Sequence, residues 1–307
     1  MGKYILKRVG YMFLTLFVVV TITFFLMRAI PGDPLATMAR ALPEQTRQAF
    51  YARYGLDRPL FEQYLTYMKN LLHGDFGSSL KHTGCSVNQM IMERFPASAQ
   101  LGLEAFLISF PLGMLFGIVS ALRKGTAVDY ALVIFTVLGV CVPVFIMAAL
   151  LQYVFAIRLG WFPVAQWKGF QYTVLPVLTL SIGSIANRTR AMRTLMLEVI
   201  NEDYMKTAKA KGLSKFQIVW RHQIRNAVIP MLPSLGMEIV ELLMGSFVVE
   251  QIFVVPGLGA YFVNSIQNLD YTMTLGLTVF LAIFVVSANF IIDLIYGLVD
   301  PRIRVVK

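Results

Sequence analysis

Residues 9–30 read VGYMFLTLFVVVTITFFLMRAI. An α-helix needs about 20 mostly apolar residues to cross a hydrocarbon layer roughly 30 Å thick, and this run has the length. Lys3, Lys7 and Arg8 precede it, which is the basic-then-apolar layout of a secretory leader. A leader core is shorter, roughly 7–15 residues, and is closed by a small-residue cleavage site. No such site follows directly here, so the run is expected to stay as an uncleaved first crossing. Working outward, the stretches 100–122, 130–157, 172–192, 228–255 and 274–298 are apolar enough to join it. The expected fold class is therefore all-α: a polytopic membrane protein with six transmembrane helices. The fourth stretch is the weakest, because Asn187, Arg188 and Arg190 interrupt it, so it is expected to end in a cytoplasmic extension. Pro143 and Pro233 fall inside the third and fifth, where neighbouring helices and waters can satisfy the freed carbonyls.

The composition agrees. The 307 residues are 57% hydrophobic and 14% charged, with a mean hydropathy of +0.66, against roughly 45–50% and about 25% in soluble domains. Disorder, collagen and coiled coil are excluded by the same arithmetic. Cys85 and Cys141 lie far apart and offer neither a disulfide framework nor a metal-like spacing. The net charge of +10 would suit a nucleic-acid binder, so the placement of the basic residues decides. Lys3, Lys7, Arg8, Arg123, Lys124, nine basic residues from Arg188 to Arg225, and Arg302, Arg304 and Lys307 all fall on one side of the expected crossings. The short loops of the opposite side hold Arg158 and Lys168, with no basic residue between Pro256 and Met273. An excess of Lys and Arg in short loops marks the cytoplasmic face, so both termini are expected there, and no nucleic-acid partner is.

This divides the chain into 1–30, a cytoplasmic N-terminus and first crossing; 31–99, an extracytoplasmic region; 100–298, a five-helix core with a cytoplasmic loop at about 193–227; and 299–307, a cytoplasmic C-terminus. The external region carries turn signals at Pro31-Gly32-Asp33-Pro34 and Gly74-Asp75 and an amphipathic pattern over Glu62 to Leu72, with Tyr64, Leu65, Met68, Leu71 and Leu72 apolar. Part of it should pack on the bundle. It is too small for a two-lobed solute receptor, which would have to be another chain.

Enzyme chemistry finds no foothold. The chain has no G-x-x-x-x-G-K-[ST] phosphate loop and no H-E-x-x-H. His73, His82 and His222 are scattered over both sides, so no metal site is expected, and Gly77-Ser78-Ser79 reads as turn chemistry. No catalytic residue is expected. Filter-like loops and arginine ladders are also missing, and a self-contained transporter of six crossings would need a second half. What is left is a transport subunit driven by a partner.

The cytoplasmic loop is punctuated. Asn201 is placed to cap a short helix, Glu202 and Asp203 suit its positive end, Lys206, Lys209 and Lys211 its later turns, and Gly212 a left-handed stop. Ser214 with Gln217 is a capping box opening a second helix from Lys215 to about Asn226, which feeds Pro230 and the fifth crossing. Tyr204, Thr207, Ala208 and Lys211 share one stripe, with Met205 and Lys209 beside it. A surface helix on lipid headgroups and a peg docking into a soluble partner both fit that spacing, the small Ala208 and Ala210 permitting close approach in the second case.

Within the spans, Glu104, Glu238, Glu241, Glu250 and Asp293 must face protein, water or a helix end. Glu238 and Glu241 are three apart with Gly245 on the same face, a stripe able to line a wet path and attract a cationic group such as a peptide amino terminus, or else to pair with a basic group. Asn289 and Asp293 are placed to bond each other or nearby backbone, and Gly113 with Gly117 to admit a close helix inside the bundle.

The run Asp203-Tyr-Met-Lys-Thr-Ala-Lys-Ala-Lys-Gly-Leu213, with His222, Asn226 and Pro230 downstream, resembles the cytoplasmic loop of bacterial ABC importer permeases in its peptide-transport version. So do Met244-Gly-Ser-Phe-Val-Val-Glu250, Pro256-Gly-Leu-Gly259, Asp270-Tyr271, Asp300-Pro301-Arg302, Tyr54-Gly-Leu-Asp-Arg-Pro59, Gly74-Asp-Phe-Gly77 and Arg158-Leu-Gly-Trp-Phe-Pro163, which together cover nearly the whole chain. Where the general family loop often begins Glu-Ala-Ala, this chain has Lys206-Thr207-Ala208, so only Ala208 and Gly212 carry over from the general pattern. The resemblance is to the B-type oligopeptide permease group and implies the type I ABC importer permease fold in a bacterial inner membrane. It implies an ATPase-coupling helix made by Asp203, Tyr204, Met205, Thr207, Ala208, Lys211 and Gly212 and supported by His222 and Pro230. Path lining by Glu238, Glu241 and Gly245 stays a reading of their spacing, beside pairing with a basic group, and in the resemblance Glu250 falls to a structural turn. The implied partners are a homologous second permease, two ATPase subunits that use ATP and Mg, an extracytoplasmic peptide-binding protein and peptide substrate, with no cofactor on this chain itself. The same fold importing dipeptides, nickel or a metallophore is the alternative cargo reading; a passive channel or scaffold is the alternative of another kind.

Overall fold

A computed structural model describes residues 2–29, 45, 48, 51–52, 55–82, 84–244 and 246–299. The turn expected at Pro31–Pro34, Tyr54, Gly245, the segment 300–307 and the side chain of Asp293 lie outside the described residues. The helices are α1 (Gly2–Ala29), α2 (Leu60–Leu72), α3 (Val87–Leu122), α4 (Ala127–Cys141), α5 (Val144–Leu151), α6 (Phe170–Ile200), α7 (Asp203–Ala210), α8 (Lys215–Ile218), α9 (Arg225–Val228), α10 (Leu232–Leu243), α11 (Phe247–Phe253), α12 (Leu258–Gln267) and α13 (Tyr271–Val299). The π-helical turns Gln152–Arg158 and Val219–Ile224 continue α5 and join α8 to α9. Among the described residues an isolated bridge between Ser78 and Ser86 is the one extended pairing.

Leu6–Ala29, Val87–Leu122 and Tyr271–Ile292 are long and apolar enough to cross a bilayer, and two bent pairs raise that number up to five if each pair is one span. The second of these spans, α3, starts at Val87, well before the expected boundary at residue 100. The third expected span is not one rod: Ala127–Cys141 and Val144–Arg158 meet at 107°. Val142 is extended there, with φ −79° and ψ 119°, as a residue before proline prefers, and Pro143 has no N–H to carry the helix on. Lys215–Met231 and Ser234–Phe253 form the second pair, bent by 57°. The fourth expected crossing lies in α6, whose C-terminal half carries Arg188, Arg190 and Arg193; it is not among the apolar spans.

The helices fall into two compact units. In the first, Met1–Pro96 with Gly257–Phe290, Val20 and Phe24 of α1 pack with Tyr64 of α2 and with Leu275 and Val279 of α13. Tyr64 and Thr21 join their hydroxyls at 2.8 Å. The inward stripe of α2 is Tyr64, Tyr67, Met68 and Leu71, whereas Leu65 and Leu72, expected on the same face, are exposed. Helical spacing places them a turn's edge away from it. Gly74 and Gly77 take positive φ, the former closing the Gly74-Asp75 turn. Ser79 donates to the buried Asp270 carboxylate, which also accepts from the Leu80 and Met273 amides at 3.1 Å each. The serine loop is thus turn chemistry, clamped to the start of α13.

The second unit is Ala97–Pro256 with Ile291–Lys307. Helices surrounded by lipid gain little from apolar burial against one another, so close backbone approach does the work. A Cβ on Gly113 would lie 2.8 Å from Cβ of Arg188, and one on Gly117 would lie 2.6 Å from Cβ of Met192. The G-x-x-x-G spacing of α3 therefore seats α6 within the unit. Gly139 of α4 meets Ala186 of α6 in the same way, at 2.7 Å. Exposed Ile134 and Leu138 on α4 and Leu103, Leu107 and Leu115 on α3 are what a lipid-facing surface requires. Val249 and Phe253 of α11 pack with Ala148 and Leu175. Glu250, fully buried between them, accepts from Ser98 Oγ at 2.7 Å. That hydrogen bond joins the start of α11 to α3 within the unit.

Candidate coupling helix and transmembrane cavity

α7 begins one residue later than its capping signal suggests. Asn201 closes α6 instead, its side-chain amide donating to the Leu197 carbonyl at 3.0 Å, and Glu202 stands at the N-cap of α7 without a side-chain capping bond. The other punctuation holds. Gly212 takes φ +75°, and Ser214 and Gln217 form the complete capping box. Only two side chains of α7 are buried, Met205 and Ala208, which pack on Val199, Leu213 and Ile218. Ala208, placed on the exposed stripe by its spacing, is turned inward with Met205, and the two fix the short helix to its own loop, Ala208 packing close to Ile218. Tyr204, Thr207, Lys209, Ala210 and Lys211 are exposed. Asp203 pairs with Lys206 at 2.7 Å, a fully exposed i,i+3 contact of little energetic weight. The Tyr204 phenol is raised above its ordinary value, first by partial burial and then by the Glu202 carboxylate, while a hydrogen bond with Asn226 works the other way. Asn226 also donates to the His222 carbonyl at 2.7 Å. Asn226 thus bonds both Tyr204 of α7 and the backbone of His222, and Pro230 sits exposed in the short 3-10 turn Ile229–Met231.

Between α6, α10 and the start of α11 lies a cavity of about 630 Å³, lined among others by Ser184, Asn187, Met237, Glu238, Glu241 and Phe247. It brings together the two glutamates that the spacing singled out; Gly245 falls outside the described residues. They are not equivalent. Glu238 forms an ion pair with Arg188, whose side chain is 1% exposed. The guanidinium lies against the Phe106 and Phe110 rings at 5.3 and 4.8 Å, and its aliphatic stem crosses Gly113. Arg188 Nε and Nη1 and Glu238 Oε1 are buried with no hydrogen-bond partner among the described residues. Glu241, one turn on, is exposed to the cavity and has no charge partner among the described residues. Among the described residues the pair cancels itself, and Glu241 leaves one unmatched negative charge at the cavity.

A second charged cluster escaped the sequence reading. Asp129 of α4 receives Arg193 through Nε at 2.8 Å and Nη2 at 2.9 Å, the bidentate geometry that makes such pairs strong. Ser120 Oγ and the Gly125 amide fill its remaining lone pairs. Asp129 sits in the first turn of α4, where a carboxylate is ordinarily read as helix-dipole chemistry; its partner is 64 residues away, and no local pattern announces it.

Residues 113–305 match the family described as "Binding-protein-dependent transport system inner membrane component", and residues 1–102 match its N-terminal companion. The chain is 43% identical over 307 residues to the dipeptide transport system permease protein DppB of Bacillus subtilis, covering 100% of this chain and 99% of that one. It is 42% identical over 306 residues to the oligopeptide transport system permease protein OppB of Haemophilus influenzae, covering 99% and 100%. Among solved structures, a crystal structure of an amino acid ABC transporter with histidines covers 70% of this chain and 94% of its own, with a TM-score of 0.51 at 17% identity, a likeness of fold. With the matched family model spanning most of the chain and the relatives aligned end to end, the chain belongs to the binding-protein-dependent transport system inner membrane components, the permease subunits of ABC importers.

Proposed function

We propose that the chain is half of the membrane channel of an ATP-driven importer of oligopeptides, paired with a homologous permease, two cytoplasmic ATPases and an extracytoplasmic binding protein. The observation that carries this reading is the end-to-end likeness to permeases whose names specify peptide transport. Cargo up to oligopeptide length is the first choice and dipeptide the second, since a relative of each kind aligns over the whole chain. Both termini lie in the cytoplasm in this reading, with 31–99 outside and the loop at 193–227 inside, because the basic residues of short loops gather on that face. ATP and Mg are handled by the ATPases.

The work done by this chain is mechanical. ATP binding favours one arrangement of the ATPases, and it shifts the membrane subunits only as far as the two arrangements differ in free energy. The shift enters through α7, whose exposed Tyr204, Thr207 and Lys211 offer a contact surface while Met205 and Ala208 tie it to α6 and α8. In the path, Glu241 supplies a negative charge suited to a peptide ammonium, and Arg188 neutralises Glu238.

The test is uptake by the complete complex in proteoliposomes. ATP-dependent accumulation of peptides of three or more residues, lost when the ATPases are disabled, is expected. Equal uptake with disabled ATPases would overturn the reading, and accumulation confined to dipeptides or to a metal chelate would replace the cargo.

A further inference from the structure

Within the first unit, the C-terminal end of α1 and the polar side of α2 enclose a cavity of about 320 Å³, whose polar lining includes Arg28, Arg58, Gln63, Tyr67, Asn70 and Asp75. Neither guanidinium has an ion-pair or hydrogen-bond partner among the described residues. Arg28 rests against the faces of Phe24 and Tyr271, at 5.5 and 6.0 Å, which leaves its N–H donors unspent. Asp75, the carboxylate of this lining among the described residues, accepts from the Gly77 amide at 2.8 Å; two guanidiniums against it leave the described lining one positive charge. The Tyr67 hydroxyl is buried with no partner among the described residues. Burial pushes its phenol up, so it stays a hydrogen-bond donor. Unmet buried donors are uncommon in folded proteins, and here one faces the same cavity as two arginines that have no ion-pair partner among the described residues.

Position selects the kind of anion. Arg28 stands at the end of the apolar span Leu6–Ala29, at the level where hydrocarbon gives way to headgroups. Ile22, Phe25 and Leu26 of α1 and Phe61 and Leu65 of α2 are exposed. Tyr64 joins the two helices' apolar surfaces, its ring meeting Phe25 at 5.5 Å and Phe61 at 6.5 Å. A ligand with one anionic group and long apolar tails matches both features together. We propose that this cavity holds the headgroup phosphate of an anionic membrane phospholipid, with Arg28 and Arg58 as its cationic ligands and Tyr67 as a hydroxyl donor.

The assembled, delipidated complex in detergent is titrated with dioleoylphosphatidylglycerol and bound lipid is counted by native mass spectrometry. Retention is expected to weaken about ten-fold in the double variant Arg28→Gln, Arg58→Gln, as when charge-assisted hydrogen bonds to an anion are removed, and by a smaller factor in Tyr67→Phe. Millimolar inorganic phosphate should fail to displace the lipid. Unchanged retention in the double variant overturns the proposal. So does displacement by phosphate alone, which would assign a free anion, or by a free-acid peptide but not its amide, which would assign a substrate carboxylate. If the double variant does not assemble, Tyr67→Phe carries the test, and retention equal to that of the parent chain contradicts it.

Discussion

Arg188 and Arg193 stand on the same helix, one and a half turns apart, and each holds a carboxylate from another element. Arg193 does so completely: both oxygens of Asp129 are engaged, and Ser120 and Gly125 take the remaining lone pairs. Arg188 does so partially, leaving two of its nitrogens and one oxygen of Glu238 without partners among the described residues. The first arrangement resembles a rivet between α4 and α6. The second stands beside a cavity, under two aromatic rings, and buried charge that is paired but not saturated is held at a cost. A site optimised for stability alone would resemble Asp129; the incompleteness at Glu238 falls where the pair borders the cavity.

The comparison breaks most visibly if either carboxylate partner is removed. Glu238→Ala strands the buried Arg188 and is expected to lower stability by about 3–5 kcal/mol, read as the shift in thermal unfolding of the assembled complex. A loss under about 1 kcal/mol would mean that Arg188 is solvated through the cavity. Asp129→Asn keeps the shape and removes the charge-assisted bonds; Arg193 is 26% exposed and finds water, so about 1.5–3 kcal/mol is expected. Should this variant be the more damaging of the two, the ranking of the clusters is reversed. Gly117→Ala pushes a methyl against Met192 and is expected to cost about 1–3 kcal/mol; full stability would show that α3 and α6 have room to part. Glu241→Gln should leave stability within about 0.5 kcal/mol. Its effect belongs to transport, slowing uptake of peptides with a free amino terminus more than of acetylated ones. Equal slowing would remove Glu241 from the path.

Much of this was legible in the chain itself, and what was not has a common cause. Gly212 and the Ser214–Gln217 box were readable because caps act over three or four residues. The approach of Gly113 and Gly117 to a helix was readable as a spacing. The partners of Asp129 and Glu238 were not, since they come from α6, 64 and 50 residues away. The inward turn of Ala208 was not readable, because a stripe chosen from the helix alone cannot know which side Ile218 will occupy. Asn201 had two helices to serve, and its amide went to the one behind it. The bend at Pro143 was visible as a proline but not as an angle of 107°, which tertiary packing sets.

The most direct test of force entering through α7 is cysteine cross-linking from that helix to the ATPase in an active complex. Single cysteines at Tyr204, Thr207 and Lys211 should cross-link and arrest ATP-driven uptake, while those at the buried Met205 and Ala208 should not. Cross-links absent from every exposed position, or strongest at Met205, would contradict the account.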